Sequence, residues 1–454
     1  MTGRPARQVL GEHLAKQRWY GGDGAPEQVE VLHRWVDRAD WPRLVRLVVE
    51  ADGASYQVLL GQRPPGEYDF LRGHDEAFID EVGDGAERAV AYDAVHDPEV
   101  ALALMAQVAP AEHVERARVM GVEQSNTSIV FDERVLLKLF RRLQHGPNPE
   151  VEITTALARA GFRWVAAPFA TLSREGYDLA LAQPFLAGGV EGWAMALTSL
   201  RDLFGVHDTR PIPVLDPNGP PPASDPGQAG GDFSAEARRL GETTAAMHAA
   251  LADALGREPG QPSAWADSIE SQLDSLDLPA DVDPEAARGV VTALRRAEPG
   301  PAIRVHGDLH LGQVMRTDAG WYVLDFEGEP ARPLEERRRR TSALRDVAGM
   351  LRSFQYAAAV AAMERRDAAQ TGERDAQDQD VGAAWEERNR SAFLKGYLPL
   401  ATEAGVVPED PESTDAVLAA FELEKALYEV SYERAYRPQW ATIPAAALKR
   451  IVKP

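Results

Sequence analysis

The chain has 454 residues, of which 44% are hydrophobic, and its formal net charge is −22 with a pI of about 4.9. This length predicts two or three domains or lobes around a sizeable core. The acidic balance disfavours nucleic acids and anionic membranes as partners, because both select basic surfaces. No cysteine is present, which excludes disulfides and thiolate metal sites and agrees with a reducing cytoplasm.

The N-terminal stretch carries no apolar signal-peptide core, and no run of apolar residues is long enough to predict a membrane span. We therefore expect a cytoplasmic protein without membrane partners. We also expect a monomer.

The elements alternate in type along the chain. Residues 1–110 predict a mixed, strand-containing region in which Leu44–Val49 and Tyr56–Leu60 are strands. Residues 111–190 are β-rich, with two strands between Val119 and Phe140 and a helix over Glu150–Ala160. A short joint at 185–189 precedes a helical region, 191–454. This order is that of a two-lobed kinase.

Two polar stretches interrupt the helical region. Seven prolines lie between Pro211 and Pro226, which predicts a mobile loop. The run Glu364–Asp380 shows no periodicity, so we expect it to be solvated.

Lys138 is the first candidate site residue. Alternation places it on the strand face of Leu136 and Phe140, where a lysine needs an anionic partner. The partner can be phosphate oxygens or Glu152 of the following helix, a pair with which kinases hold phosphates. An edge-strand lysine that reaches water is the plain alternative.

A polar turn, Ser125-Asn126-Thr127-Ser128, precedes this strand. It is not a Walker loop, but its hydroxyl, amide and backbone N–H groups can cover phosphates by donating hydrogen bonds to them. Further along, the backbone of the apolar segment around Gln183 can form hydrogen bonds with the edge of an adenine ring. Glu191 or Asp202 is then a candidate for the ribose hydroxyls, although each is equally interpreted as a surface acid.

The stretch His306-Gly307-Asp308 gives the strongest chemical signal. Gln313 follows Asp308 by five residues, and Asp325 follows by seventeen. Two short strands, Val314–Arg316 and Tyr322–Leu324, predict a hairpin that brings the three side chains together. Phosphoryl transfer needs such a set, namely a carboxylate that accepts the acceptor's proton and two oxygen ligands for Mg²⁺. A hairpin with surface acids is the alternative.

Several long motifs resemble the actinobacterial maltokinases. They are Glu-Gln-Ser-Asn-Thr-Ser at 123–128, Leu-Lys-Leu-Phe-Arg-Arg at 137–142, Glu-Gly-Trp-Ala-Met-Ala at 191–196, His-Gly-Asp-Leu-His-Leu-Gly-Gln at 306–313, Asp-Phe-Glu-Gly-Glu-Pro at 325–330 and Leu-Arg-Asp-Val-Ala-Gly-Met-Leu-Arg-Ser-Phe at 344–354. The resemblance begins at Gln17 and covers nearly the whole chain.

The resemblance implies an α+β, bilobal fold like those of aminoglycoside phosphotransferases and protein kinases, with an N-terminal cap over 1–110. It further implies that Asp308 is the catalytic base, that Gln313 and Asp325 bind Mg²⁺, and that Lys138 binds the phosphates of ATP.

The acceptor site is predicted on a helix that ends before Pro438. Its residues Lys425, Tyr428, Glu429, Tyr432 and Glu433 share one face, where carboxylates and rings suit a sugar. A solvated face with internal ion pairs is the alternative. We add His306, Arg437 and Trp440 to the predicted acceptor site.

The same segment departs from the maltokinase pattern over Arg434 to Thr442, while the ATP and Mg²⁺ motifs are intact. This predicts a changed acceptor, and a related branch resembles maltokinases but phosphorylates glucosamine. We favour glucosamine, phosphorylated to glucosamine 6-phosphate, and keep maltose as the alternative.

Two other protein classes compete with a sugar kinase. An aminoglycoside phosphotransferase would leave the cap unexplained, and a pseudokinase usually lacks one of the acids found here.

Overall fold

The computed structural model describes residues 5–22, 24–121, 125–209, 232–329, 332–369 and 375–453. The chain divides into two compact units, Met1–Thr155 with Ala166–Ala187, and Ala156–Val165 with Gly188–Pro454. The main boundary falls within the predicted joint at 185–189. The further division at residue 110 stays a prediction.

The first unit is built mainly of strands. Its helices are α1 (Ala6–Leu14), α2 (Pro98–Val108) and the first part of α3 (Pro149–Arg159), whose residues from Ala156 onward belong to the second unit. Its strands are β1 (Val29–Arg38), β2 (Arg43–Ala51), β3 (Ala54–Arg63), β4 (Phe78–Val82), β5 (Ala89–Asp93), β6 (Ala117–Val119), β7 (Asn126–Phe131), β8 (Val135–Phe140), β9 (Arg142–Leu143), β10 (Ala170–Arg174) and β11 (Tyr177–Pro184). The strands predicted at 44–49 and 56–60, and the pair before Phe140, are confirmed.

Two antiparallel sheets organise this unit. The first sheet has the order β1-β2-β3-β5-β4, with β9 paired to β3, and is called the cap sheet because β1 to β5 lie in the predicted cap. The second has the order β10-β11-β8-β7-β6 and is called the nucleotide sheet because it carries Lys138, the predicted phosphate-binding lysine. Between the strands of the nucleotide sheet and helix α2 lies a core in which Val100 and Leu104 pack with Ile129, Leu137 and Leu139. Helix α2 begins at Pro98 because Asp97 accepts hydrogen bonds from the first free backbone N–H groups.

The second unit is mainly helical. Its helices are α4 (Gly192–Thr209), α5 (Ser234–Leu255), α6 (Pro262–Ser275), α7 (Pro284–Arg296), α8 (Leu334–Arg337), α9 (Leu344–Ala369), α10 (Asp375–Glu403), α11 (Pro411–Tyr436) and α12 (Thr442–Ile451). Its strands are short: β12 (Val190–Glu191), β13 (Glu258–Pro259), β14 (Pro301–Ala302), β15 (Val314–Arg316) and β16 (Trp321–Val323).

Helices α5 and α10 cross at two glycines. A Cβ atom at Gly241 would lie 2.2 Å from Phe393 O, and one at Gly396 would lie 2.2 Å from Arg238 O. This close crossing brings His248 of α5 to Tyr397 of α10, with Nδ1 and the hydroxyl 2.8 Å apart. Both side chains are buried, and His248 also contacts Asp346, which holds the loop that carries Asp308.

In the described residues the run Glu364–Asp380 is helical and, as expected, largely solvated, because Glu364, Arg366, Asp367, Gln379 and Asp380 are exposed. Residues up to 369 extend α9, and those from 375 begin α10. Asp378 is buried, and its carboxylate accepts a hydrogen bond of 2.8 Å from Arg365 Nε. Polar residues such as Glu, Arg and Gln are good helix formers, so a polar run does not by itself exclude a helix. The proline-rich loop predicted at 211–226 lies outside the described residues.

No helix in the described part of the chain combines a length of 18 residues with the apolar composition that a bilayer span requires.

Candidate active site

Lys138 lies on the strand face that alternation predicts. It stands in β8 opposite Ser128 of β7 and Leu181 of β11, so these three side chains share one face of the nucleotide sheet. Lys138 is only 7% exposed, and its Nζ lies 2.6 Å from Glu150 Oε2 at the start of α3. A buried ammonium group is stabilised by such a carboxylate.

The carboxylate that pairs with Lys138 is Glu150 rather than the predicted Glu152. Each helical residue is turned by about 100° from the one before, so positions two apart point about 200° apart. Glu152 therefore points to a different side of α3 from Glu150.

The residues predicted to cover the phosphates do not all lie on one face of β7. Asn126 and Ser128 lie on the Lys138 face, and Ser125, just before the strand, accepts a hydrogen bond of 3.2 Å from Asn126 Nδ2. Ser128 is fully buried, and its Oγ has no hydrogen-bond partner among the described residues. A buried hydroxyl without a partner is costly, so this atom fits a site where a bound group supplies the hydrogen bond.

Thr127 points to the opposite face, because successive strand residues alternate. Its Oγ1 accepts a hydrogen bond of 2.9 Å from Arg141 Nε. The prediction that its side chain contacts ATP is therefore wrong. Glu123 and Gln124 of the same motif lie outside the described residues.

Gln183 and Asp202 differ in burial. Gln183 is in β11, two residues beyond Leu181 and therefore on the Lys138 face, and it is nearly buried. Asp202 is exposed on α4. Their contacts with adenine and ribose stay predictions.

In the second unit, the hairpin predicted between Gln313 and Asp325 is confirmed. Strands β15 and β16 pair antiparallel, with Val314 opposite Val323. Beyond the strands, Leu324 N donates to Gln313 O at 2.9 Å. This pairing brings Gln313 Nε2 within 3.2 Å of Asp325 Oδ2. The two predicted metal ligands are therefore neighbours.

Asp325 has a φ of 58°, in the left-handed region that few residues other than glycine adopt. Such conformations concentrate at functional sites. One carboxylate oxygen of Asp325 lies within 4.8 Å of one of Glu327. Carboxylate and amide oxygens are the ligands that Mg²⁺ prefers, so Gln313, Asp325 and Glu327 together fit this ion. The sequence reasoning missed Glu327, which the Asp-Phe-Glu motif could have indicated.

The loop that carries Asp308 is held by Asp346, near the start of α9. The Asp346 carboxylate accepts the backbone N–H groups of His306, at 2.7 Å, and Gly307, at 2.9 Å. Its Oδ2 also lies 3.1 Å from Nε2 of His248, whose partner is Tyr397. Burial would raise the pKa of Asp346, but the hydrogen bond with His248, the nearby His306 and the backbone N–H of Gly307 together outweigh burial and lower it. Asp346 is thus an ionised anchor for the loop.

Helix α9 also contacts the loop at Gly349. A Cβ atom there would lie 2.6 Å from Leu309 O, so glycine is required for this close approach. Ser353 of the same helix accepts a hydrogen bond of 3.2 Å from Leu311 N. The helix therefore fixes the backbone on both sides of Asp308.

His306 was predicted to contact the sugar, and the structure contradicts this prediction. The side chain is 1% exposed. Its Nδ1 accepts a hydrogen bond of 3.3 Å from Asp308 N, and its Nε2 donates one of 2.8 Å to Leu324 O. Nε2 thus ties the Asp308 loop to the residue before Asp325, and Nδ1 holds the backbone of the loop itself.

Asp308 contacts Lys425 of α11. Lys425 Nζ lies 3.3 Å from Asp308 Oδ1 and 3.5 Å from Glu329 Oε1. Burial would raise the pKa of Asp308, but Lys425 and then His310 outweigh burial, and this pKa lies below its ordinary value. Burial would lower the pKa of Lys425, but Asp308 and Glu329 raise it. Both groups are charged at neutral pH.

A pocket opens beside this ion pair. Its lining includes Asp308, Glu329 and Glu424 together with Arg332, Arg345 and Lys425, and Tyr428 also lines it. Arg332 Nε is 2.7 Å from Glu329 Oε2, and Arg345 Nη2 is 3.0 Å from Glu424 Oε1. The sequence reasoning missed Glu329, although it follows Asp325 and Glu327 in an alternating acidic pattern.

Glu429 and Glu433 were predicted to face the acceptor, but the structure turns both toward α9. Glu429 Oε2 accepts bonds of 2.9 and 2.6 Å from Nε and Nη2 of Arg352, which is fully buried. Glu433 accepts bonds from Tyr356 and Arg437. On α11 these two glutamates lie on the side toward the helix packing, and only Lys425 and Tyr428 of the predicted face line the pocket.

The remaining predicted acceptor residues form an aromatic group that begins at Tyr428, which lines the pocket. Tyr428 and Tyr432 are stacked with ring centroids 6.2 Å apart. The guanidinium of Arg437 lies 4.4 Å from the Trp440 ring and 5.3 Å from the Tyr432 ring. Their contact with a sugar stays a prediction.

Sequence profiles of two protein families match the chain. The maltokinase N-terminal cap domain matches residues 13–97, and the phosphotransferase enzyme family matches residues 224–385. A glucosamine kinase of Streptacidiphilus jiangxiensis is 29% identical over 346 residues, which cover 72% of this chain and 71% of that protein. A glucosamine kinase of Mycolicibacterium smegmatis is 27% identical over 350 residues, covering 74% and 79% respectively.

The fold is similar to that of a solved glucosamine kinase in complex with glucosamine, ADP and inorganic phosphate. The TM-score is 0.68 at 22% identity, with 99% of this chain and all of that chain covered. A second crystal form of a glucosamine kinase gives a TM-score of 0.67. The fold is therefore the capped, α+β, kinase-like fold expected from the sequence.

Proposed function

Because the chain is a maltokinase-like member of the phosphotransferase enzyme family with an N-terminal cap, we propose that it is an ATP-dependent sugar kinase whose acceptor is glucosamine. The observation that carries the kinase assignment is the hairpin that sets Gln313 against Asp325, next to a fixed loop with an ionised Asp308. Two curated relatives of the chain bear the name glucosamine kinase.

The chemistry follows from the roles of these groups. Asp308 accepts the proton of the attacking sugar hydroxyl. Gln313, Asp325 and Glu327 would hold Mg²⁺, which neutralises charge on the phosphates. Lys138, positioned by Glu150, contributes a positive charge for the phosphates of ATP, and Ser128 offers its unpaired hydroxyl to the same ligand.

The pocket supports an amino sugar because its carboxylates already surround an ammonium group. Asp308 and Glu329 both contact Lys425 Nζ. When Asp308 is engaged with the sugar hydroxyl, Glu329 is the carboxylate that we expect to bind the protonated amine, in exchange for its contact with Lys425 and while it keeps its ion pair with Arg332. Bonds between charged partners are roughly twice as strong as neutral ones, so the amine is the group by which we expect glucosamine to be selected.

Maltose is the second candidate. The matched cap domain is that of maltokinases, and the stacked Tyr428 and Tyr432 rings offer an apolar surface of the kind on which a second sugar ring packs.

The proposal is tested by ADP release with glucosamine, maltose, glucose, N-acetylglucosamine and an aminoglycoside as acceptors, with NMR of the product. We expect glucosamine to give the highest kcat/KM and to be phosphorylated on its 6-hydroxyl. If maltose or the aminoglycoside gives the highest kcat/KM, glucosamine is not the acceptor. If no acceptor is phosphorylated, the kinase assignment itself fails.

Glu329→Gln is expected to lower kcat/KM for glucosamine by about 10- to 100-fold, because a hydrogen bond to a charged group contributes about 1.5–3 kcal/mol. Activity with glucose, measured at high concentration, should change little, so the glucosamine-to-glucose ratio should fall. Steady-state kinetics with both sugars measures this ratio.

Glu429→Gln is the matched control, because it neutralises another carboxylate close to Lys425 on a residue bound to Arg352 instead of the pocket. It should lower the melting temperature, since it weakens a buried ion pair, and leave the glucosamine-to-glucose ratio unchanged. A fall of the ratio in Glu429→Gln but not in Glu329→Gln would restore the original sequence prediction.

A further inference from the structure

The cap sheet and the nucleotide sheet lie within one compact unit, and the buried Arg141 connects them. Arg141 directly follows β8, three residues after Lys138. Its Nη2 donates to both carboxylate oxygens of Asp93, at 3.0 and 2.9 Å, where β5 of the cap sheet ends. Its Nε donates to Thr127 Oγ1 at 2.9 Å, where β7 begins. One guanidinium therefore links a cap carboxylate to the base of the nucleotide hairpin.

A second cap residue, Gln57, holds the same region through hydrogen bonds to the backbone of that region. Gln57 of β3 is buried, and its Nε2 donates to Phe140 O at 2.8 Å and to Leu179 O at 2.9 Å. Its backbone N–H donates to Arg141 O at 2.7 Å. The backbone that carries Arg141 is thus fixed, so the guanidinium has a defined position from which to hold Thr127.

Thr127 stands between the two residues of β7 that share the Lys138 face. Because strand side chains alternate, a twist of the β7 backbone that carried Thr127 away from Arg141 would also turn Asn126 and Ser128 away from Lys138. The hydrogen bond to Arg141 therefore orients the polar groups on the opposite face of the strand.

We propose that the cap is a positioning element for the nucleotide: Asp93, acting through Arg141, holds Thr127 so that Asn126 and Ser128 face the phosphates beside Lys138. Thr127, Arg141 and Asp93 are positioning residues, since none of them lies on the nucleotide face. This inference rests on the proposed function only in taking the ligand of the sheet to be ATP.

The first test removes only the hydroxyl that Arg141 holds. Thr127→Val preserves the shape of the side chain, and Thr127→Ser preserves the hydroxyl. We expect Thr127→Val to raise KM for ATP, and Kd for a fluorescent ADP analogue, on the order of tenfold, as for the loss of one hydrogen bond to a charged group. The kcat and the KM for glucosamine should change little, and Thr127→Ser should resemble the unmodified protein.

The second test compares two carboxylates of the cap. Asp93→Asn weakens the pair with Arg141, whereas Asp97→Asn weakens a similar two-bond pair with Arg63, at 2.7 and 3.0 Å, that lies wholly within the cap. Both variants should lower the melting temperature. Only Asp93→Asn should weaken ADP binding, and combining it with Thr127→Val should add little further loss, because the two changes act on one chain of contacts.

Three results would overturn the inference. They are an unchanged Kd for ADP in Thr127→Val, an equal loss of ADP affinity in Asp97→Asn, and an equal rise in the KM for glucosamine and the KM for ATP. ADP binding is measured without any acceptor. If the protein binds ADP but phosphorylates no sugar, the proposed function fails, and these measurements still decide the role of the cap.

Discussion

Asp308→Asn is expected to lower kcat for glucosamine phosphorylation on the order of 10²-fold or more, the usual range for a positioned general base. The substitution keeps the shape of the side chain but removes the carboxylate that accepts the hydroxyl proton. The loop should keep its conformation, because it is held by bonds from backbone groups to Asp346 and His306. We therefore expect Kd for ADP to remain unchanged.

The measurement is steady-state kinetics together with binding of a fluorescent ADP analogue. Asp318→Asn is the control, because Asp318 is exposed in the turn of the neighbouring hairpin. It should leave kcat and Kd unaltered. Full turnover by Asp308→Asn would show that another group accepts the proton.

Asp325→Asn is expected to abolish most Mg²⁺-dependent turnover, again on the order of 10²-fold or more, because a metal ion stabilises transition-state charge by several kcal/mol. At this position asparagine gives a clearer test than alanine. It tolerates the left-handed conformation that Asp325 adopts, with φ of 58°. A loss of activity can then be assigned to the missing charge and not to the backbone.

A Mg²⁺ titration of activity and of ADP affinity measures this effect. The variant should need far more Mg²⁺ and should gain little ADP affinity from it, while its melting temperature without nucleotide stays close to that of the unmodified protein. A Mg²⁺ dependence equal to that of the unmodified protein would remove Asp325 from the metal site.

Local patterns predicted much of this site. The alternation around Lys138 gives its strand face, and the spacing from Gln313 to Asp325 gives the hairpin, because both depend on neighbouring residues in one short segment. The end of α11 before Pro438 was likewise predictable, since the residue before a proline disfavours the helical conformation.

Contacts between distant segments were not predictable in the same way. The choice of Glu150 over Glu152 depends on how α3 is rotated against β8. Glu429 and Glu433 have the right helical spacing for the acceptor face, but the packing of α9 supplies Arg352 and Tyr356 and draws both carboxylates inward. His306 has two backbone partners that only the folded loop brings near.

The sequence argument for glucosamine also relied on a segment that lies beyond the pocket. Arg434, where the departure from the maltokinase pattern begins, is nine residues beyond Lys425, which corresponds to about 13 Å along a helix. The departure therefore lies at the join of α11 and α12, beyond the pocket beside Asp308. The identity of the relatives and the ammonium-binding carboxylates support glucosamine more directly.

The ion pair between Lys425 and Asp308 affects how readily water attacks ATP when ATP is bound and the sugar is absent. Water is then the competing nucleophile, and Asp308 is a weak proton acceptor for it while Lys425 keeps its basicity low. A sugar that enters between the two groups displaces the ammonium and frees the carboxylate. We therefore expect futile hydrolysis of ATP to be slow in this enzyme, because the acceptor itself releases the base.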